Sequence, residues 1–147
     1  MSGTDEKRIV EQLMLEWDAR RVTEAYRRTR FRAQRNDALE RWTAHGPHAE
    51  VEERYVAFRV SHTDMVLAEI MELEVRADAA YDQCRTDLDA FDARTAMEQR
   101  RSLAKVRQTC EDALSVAMRY RHSLNTTLQH EVAELVTYIE DRIEAAG

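Results

Sequence analysis

"RWTAHGPHAEVEE", residues 41–53, contains the single proline of a 147-residue chain and one of its three glycines. Gly46 is suited to ending a helix that has run from near the N-terminus, and Pro47, which cannot extend that helix, opens the next segment. Gly3 and Gly147 stand at the two ends of the sequence, so from Ala49 to Ala146 neither breaker occurs. One helix of that length would reach about 150 Å at 1.5 Å per residue, and a second fold-back is expected. The sequence offers "DLDAFDARTAME", residues 87–98, where Asp87, Asp89 and Asp92 crowd together and Thr95 stands three before Glu98 in capping-box spacing. A turn at 92–95 then gives helices over about 5–44, 49–91 and 95–145. Thr126 with Gln129 is a weaker cap, marking a kink.

Apolar periodicity supports the division. Val56, Thr63, Ile70, Ala77, Cys84 and Phe91 recur every seven residues, and Val60, Leu67, Tyr81 and Leu88 form a second row that only Glu74 interrupts. The third segment continues the pattern through Leu103, Val106, Cys110, Leu114, Ala117, Leu124, Leu128, Leu135, Ile139 and Ile143, with successive fours near 124–132 that read as a stutter. The fold class is therefore all-α: an elongated antiparallel three-helix bundle or coiled coil, a rod formed by residues 1–147 as one domain. Few turn formers and 34% charged residues favour long helices over sheet. No apolar run is long enough to span a bilayer, and the acidic N-terminus lacks the character of a targeting signal; a soluble, cytoplasmic protein is the expectation.

Cys84 and Cys110 sit within the apolar rows and read as two free, poorly reactive thiols of a reducing compartment. Reflection about a turn near residue 94 sets Cys84 opposite residue 104, leaving Cys110 about 9 Å away along the axis.

Charge is distributed unevenly. The chain carries −6 overall, yet residues 19–35 hold Arg20, Arg21, Arg27, Arg28, Arg30, Arg32 and Arg35 against Glu24 alone. Reflected about Gly46, this belt faces residues 57–73, and reflected again it lies beside 115–131; acids in those windows leave it a surplus of about +5. Exposed ion pairs contribute only about 0–1 kcal/mol each, so a belt of this density points to an acidic partner rather than to fold stability. Val22, Ala25, Tyr26, Thr29 and Ala33 share the opposite, narrow face and are assigned to the core. Phe31 falls among the arginines, where an exposed aromatic ringed by guanidinium groups resembles an interface hot spot. Val10, Leu13, Met14 and Trp17 lie on a face rotated by a quarter turn or more from Val22 and Tyr26. Either residues 1–18 leave the bundle and offer Trp17 to another subunit, or Trp17 plugs the bundle's end.

Catalytic and metal signatures are absent from the pattern. No Glu stands three before any histidine, as bundle metal enzymes require. His45 and His48 read as turn residues, and His62 as a bundle-edge histidine. No phosphate loop or nucleophile elbow occurs. The reading is a non-catalytic structural or adaptor subunit without cofactor or metal. Its partner-binding set is Trp17, Arg20, Arg21, Arg27, Arg28, Arg30, Phe31, Arg32 and Arg35, docked on an acidic protein surface such as a cytoskeletal filament or other subunits of a multisubunit assembly, with an oligomer allowed. The alternative is a nucleic-acid-associated factor of a ribonucleoprotein, binding phosphate through the same belt.

Overall fold

In the computed structural model of the chain, which describes residues 3–91 and 96–146, α1 spans Gly3–Ala44, α2 spans Glu50–Phe91, α3 spans Ala96–Cys110 and α4 spans Val116–Ala146. A five-residue π turn, Glu111–Ser115, carries α3 directly into α4, so the chain makes three helical arms. No strand occurs among the described residues. The fold is an all-α helical bundle, as the heptad spacing requires. The expected second turn at 92–95 and its Thr95–Glu98 capping box lie outside the described residues.

The first turn follows from local chemistry. His45 N–H and Gly46 N–H donate back to Arg41 O and Thr43 O, closing the last turn of α1. His48 stacks on the Trp42 indole with ring centroids 3.4 Å apart and donates from Nε2 to Trp42 O at 2.6 Å. Two of the last carbonyls of α1 thereby gain imidazole partners, since His45 Nδ1 reaches Arg41 O at 3.3 Å. Glu50, Glu52 and Glu53 crowd the first turn of α2, where the helix dipole favours negative charge.

Two compact units divide the packing. The first comprises Met1–Thr23 with Met71–His122, the second Glu24–Ile70 with Ser123–Gly147. In the first, Val10, Leu13, Met14 and Trp17 of α1 are buried with Ala77, Cys84 and Leu88 of α2 and with Leu103, Val106, Cys110, Leu114, Ala117 and Met118. The N-terminal part of α1 thus packs on its neighbours, and Trp17 is fully buried rather than offered outward. In the second unit, Ala38, Trp42, Val56, Leu135 and Ile139 form the core, with Phe31, Val66, Ile70, Leu124, Leu128 and Val132 also buried.

α2 runs antiparallel to the other arms, but in a later register than simple reflection gives. Asp18 meets Tyr81 and Arg21 meets Asp78 in the first unit, while Arg35 meets Asp64 in the second. Each partner lies about seven residues further along α2 than reflection about Gly46 places it. Side chains lean toward the N-terminus of their own helix, which moves facing residues later by about one position on each helix; the rest is a later register of the backbones themselves.

The same displacement corrects the cysteine expectation. Cys84 and Cys110 are joined by a disulfide, their Cα atoms 6.1 Å apart, and no free cysteine remains. The expected separation along the axis came from the symmetric register. Residues 124–132 are regular α-helix with Leu124, Leu128 and Val132 buried in fours, and a further irregularity is the π turn, where Val106, Cys110 and Leu114 also repeat in fours. Successive fours drift around an α-helix, and the wider i→i+5 turn holds Leu114 on the buried face.

Each unit buries polar groups as well. In the first, Arg121 has no exposed surface, its guanidinium lies 4.2 Å from the Trp17 ring centroid, and Nη1 stands 3.9 Å from Glu74 Oε1. Glu74, the interruption in the apolar row of α2, is the carboxylate that balances this cation. In the second, Asn125 donates from Nδ2 both to the Glu24 carboxylate and, at 3.1 Å, to Glu24 O. Thr63 donates to Val60 O at 2.7 Å and accepts from Arg35 at 2.8 Å.

Two outcomes follow for stability. The unreduced protein should show no reactive thiol, and reduction, which releases a 26-residue separation, should lower unfolding free energy by about 3–4 kcal/mol in urea titrations; two thiols labelled without reductant would contradict the pairing. Arg121→Ala should cost about 3–5 kcal/mol, because it strands Glu74 beside an apolar core. Arg121→Met with Glu74→Leu should recover most of that loss in the same titration.

Candidate docking surface

On α1 the buried row is Val10, Trp17, Glu24, Phe31 and Ala38, spaced by seven throughout. This reverses the assignment made from the arginine stretch alone. Phe31, expected at least partly exposed, is 8% exposed, whereas Val22 and Tyr26, expected inside, are 72% and 65% exposed. Glu24 explains the error, since a carboxylate in the middle of the row hides its continuity and the local apolar residues then suggest the wrong face. Asn125 is what makes an inward Glu24 tolerable, by hydrogen bonding to its carboxylate. The apparent rotation between the Trp17 face and the Val22 face disappears once Val22 is recognised as outward.

The arginines separate by the direction they take. In the first unit Arg21 pairs with Asp78 at 2.9 Å, and Arg20 is exposed without a carboxylate partner among the described residues. In the second, Arg27 binds Glu24 at 3.1 Å and its guanidinium carbon lies 5.8 Å from the Phe31 centroid. Arg35 reaches Asp64 at 2.5 Å with only 12% of its side chain exposed. Arg28 is half-buried. Arg30 and Arg32 are exposed and have no carboxylate partner among the described residues.

The corrected register alters the charge count. Residues 19–35 now face about 64–80, which brings in Glu74, Arg76 and Asp78 and drops Arg59, and they lie beside about 120–136 on the third arm. The net surplus of the belt falls from about +5 to about +1. Within the bundle Arg21, Arg27 and Arg35 have carboxylate partners, and Arg20, Arg30 and Arg32 have none among the described residues.

In the second unit, then, the outward side of α1 presents Tyr26, Thr29, Arg30 and Ala33 together, while the exposed Arg32 lies on the other flank of the helix. Tyr26 and Arg30 are four residues apart and share one helical ridge. This pairs an amphipathic ring with a planar cation that donates five N–H groups, a combination suited to a carboxylate-bearing surface. Tyr26 is the residue that sequence reasoning missed; Phe31 and Trp17 belong to the core.

A second concentration of charge joins α2 to α4 in this unit. Arg59 binds Glu131 and Glu134, each at 2.8 Å, and donates from Nε to the Tyr55 hydroxyl at 3.0 Å. His62 Nδ1 stands 2.9 Å from Glu131 Oε2, obliquely, as a charge contact rather than an aligned hydrogen bond. The His62 ring foremost, and Arg59 after it, hold the Glu131 carboxyl below the ordinary carboxylate range against the opposing effect of burial. No group of three or more His, Cys, Asp or Glu able to hold a metal occurs among the described residues, and none of their helices is long and apolar enough to cross a membrane.

Comparison with protein-family models, with curated proteins and with solved structures yields no match to this chain.

The Glu131 contacts set an acid limb for stability. A carboxylate depressed in the folded state contributes its full stabilisation above its unfolded value, near 4.5, and loses it as pH falls through the lower folded value. Thermal midpoints should therefore fall on acidification below that value, and Glu131→Gln should flatten the limb while lowering the midpoint at neutral pH. An unchanged acid limb in the variant would exclude the assignment.

Proposed function

We propose that the chain is a non-catalytic helical-bundle subunit that docks on an acidic protein surface through the outward side of α1. The observation that supports this reading is the exposure of Tyr26 beside Arg30, on a helix where Arg21, Arg27 and Arg35 are all paired with carboxylates of the bundle. Holding an arginine exposed beside an exposed tyrosine does little for the bundle, since surface pairs contribute at most about 1 kcal/mol. At an interface, the same two side chains are among the commonest energetic anchors. A cytoskeletal filament or the neighbouring subunits of a large assembly fit the required chemistry. The cytoplasmic setting expected from the acidic N-terminus and the lack of a spanning run went with free thiols, and with the thiols joined the proposal specifies no compartment.

The test is binding of the intact, oxidised chain to a purified acidic filament and, in parallel, to single-stranded RNA, each over a salt series. The filament should bind with modest salt dependence, because Tyr26 contributes contact area that salt does not screen. Arg30→Glu with Arg32→Glu should weaken binding by at least about tenfold at unchanged helicity, like charges being set against an acidic surface. Tyr26→Ala should weaken it with less change in the salt slope. Phe31→Asp is the control that should damage the fold, by placing an unpaired charge in the core. Wild-type affinity in the double reversal would overturn the proposal. Binding confined to RNA, falling steeply as counterions are released, would replace it with the ribonucleoprotein alternative.

A further inference from the structure

α2 carries a feature that the docking reading of α1 does not use. Within the second unit, Val51, Phe58 and Met65 are spaced by seven and are 74%, 65% and 60% exposed, on the side of the helix away from Val56, Thr63 and Ile70. Ser61 and Ala68 continue the same outer strip and are exposed too. Apolar residues repeated every seven along a solvent-facing strip match the spacing at which another helix packs, and monomeric proteins rarely leave such strips open.

We propose that this strip is a self-association surface, occupied by α2 of a second copy of the chain running antiparallel. Its charge pattern identifies the occupant. Arg54 stands seven residues before Ser61, and Glu69 seven after His62; Phe58 stands three before Ser61, and Met65 three after His62. A two-fold axis between Ser61 and His62 therefore sets Phe58 of each copy against Met65 of the other, and Arg54 of each beside Glu69 of the other. Both contacts occur twice, as an isologous interface demands. Sulfur against an aromatic ring is a favourable pairing. A parallel arrangement would instead oppose Arg54 to Arg54 and Glu69 to Glu69.

The groups needed are accessible. Arg54 binds Glu50 at 2.6 Å, yet 78% of its side chain remains exposed, leaving guanidinium N–H groups for a second carboxylate. Glu69 is exposed and has no cation partner among the described residues. At the crossing point Ser61 is small, allowing the two helices to approach. His62 and Phe58 are already stacked with centroids 6.3 Å apart, so the ring is oriented before association. The strip from Val51 to Glu69 is about 27 Å long.

Sedimentation equilibrium of the intact, oxidised chain should show a reversible monomer–dimer equilibrium. Phe58→Glu should raise the dimer dissociation constant by at least about tenfold without changing helicity, as should Arg54→Glu alone, which sets like charges together. Arg54→Glu combined with Glu69→Arg should return it to within about threefold of wild type. Because the native cysteines are joined to each other, Ser61→Cys should form a disulfide between copies under mild oxidation, the two positions lying about one helical rise apart across the axis. A chain monomeric up to millimolar concentration, a dimer unaffected by Phe58→Glu, or failure of the charge exchange to restore association would each overturn the proposal.

Discussion

Arg121, lying on the Trp17 indole with Glu74 as its counterion, is the contact on which the first unit depends. A guanidinium with no exposed surface is tolerated only where a ring face and a carboxylate replace water. Each of the three residues comes from a different helical arm, so a slip of one arm would leave a charge buried alone. The Cys84–Cys110 bond lies in the same unit and holds α2 to α3. In the second unit, Glu24 with Asn125 and Thr63 with Arg35 supply comparable register constraints. Buried polar contacts are poor sources of net stability, but they discriminate strongly against misaligned packings.

That discrimination accounts for which parts of the architecture could be read from the sequence. One Gly-Pro step, its absence thereafter, and heptads on α2 and α4 were enough for helix number and helix limits. The limits agree closely because breakers and caps act locally. Register and the inward face of α1 are different in kind. The seven-residue row on α1 passes through Glu24, and pattern reading scores a carboxylate as outward; Asn125, about a hundred residues away, and Arg27 give it partners within the bundle. The narrow face of Val22, Ala25, Tyr26, Thr29 and Ala33 was then assigned to the core. Glu74 had likewise been read only as an interruption, when it is the carboxylate beside the buried Arg121. The cysteine pairing was missed for a geometric reason: a symmetric fold-back about residue 94 sets residue 104 opposite Cys84, whereas the backbones lie in a later register that brings the Cys110 Cα to 6.1 Å.

Placing α1 correctly also changes what the arginines mean. A dense basic stretch looked like a uniform belt, yet the bundle pairs Arg21, Arg27 and Arg35 with carboxylates of its own. The surface left over is small and chemically specific, with Tyr26 in the position that Phe31 had been expected to hold. The docking proposed for this face and the self-association proposed for α2 rest on separate helical surfaces of the second unit, so either can fail without the other.

The corrected core of α1 and the docking face depend on one structural claim, that the row through Trp17, Glu24 and Phe31 faces inward and Tyr26 faces outward. Hydroxyl-radical footprinting of the native chain, read by mass spectrometry at each residue, tests it most directly. Tyr26 should be oxidised rapidly, while Trp17 and Phe31 should remain protected until the chain is unfolded. Rapid oxidation of Phe31 with protection of Tyr26 would contradict the account and restore the opposite face of α1 to the core.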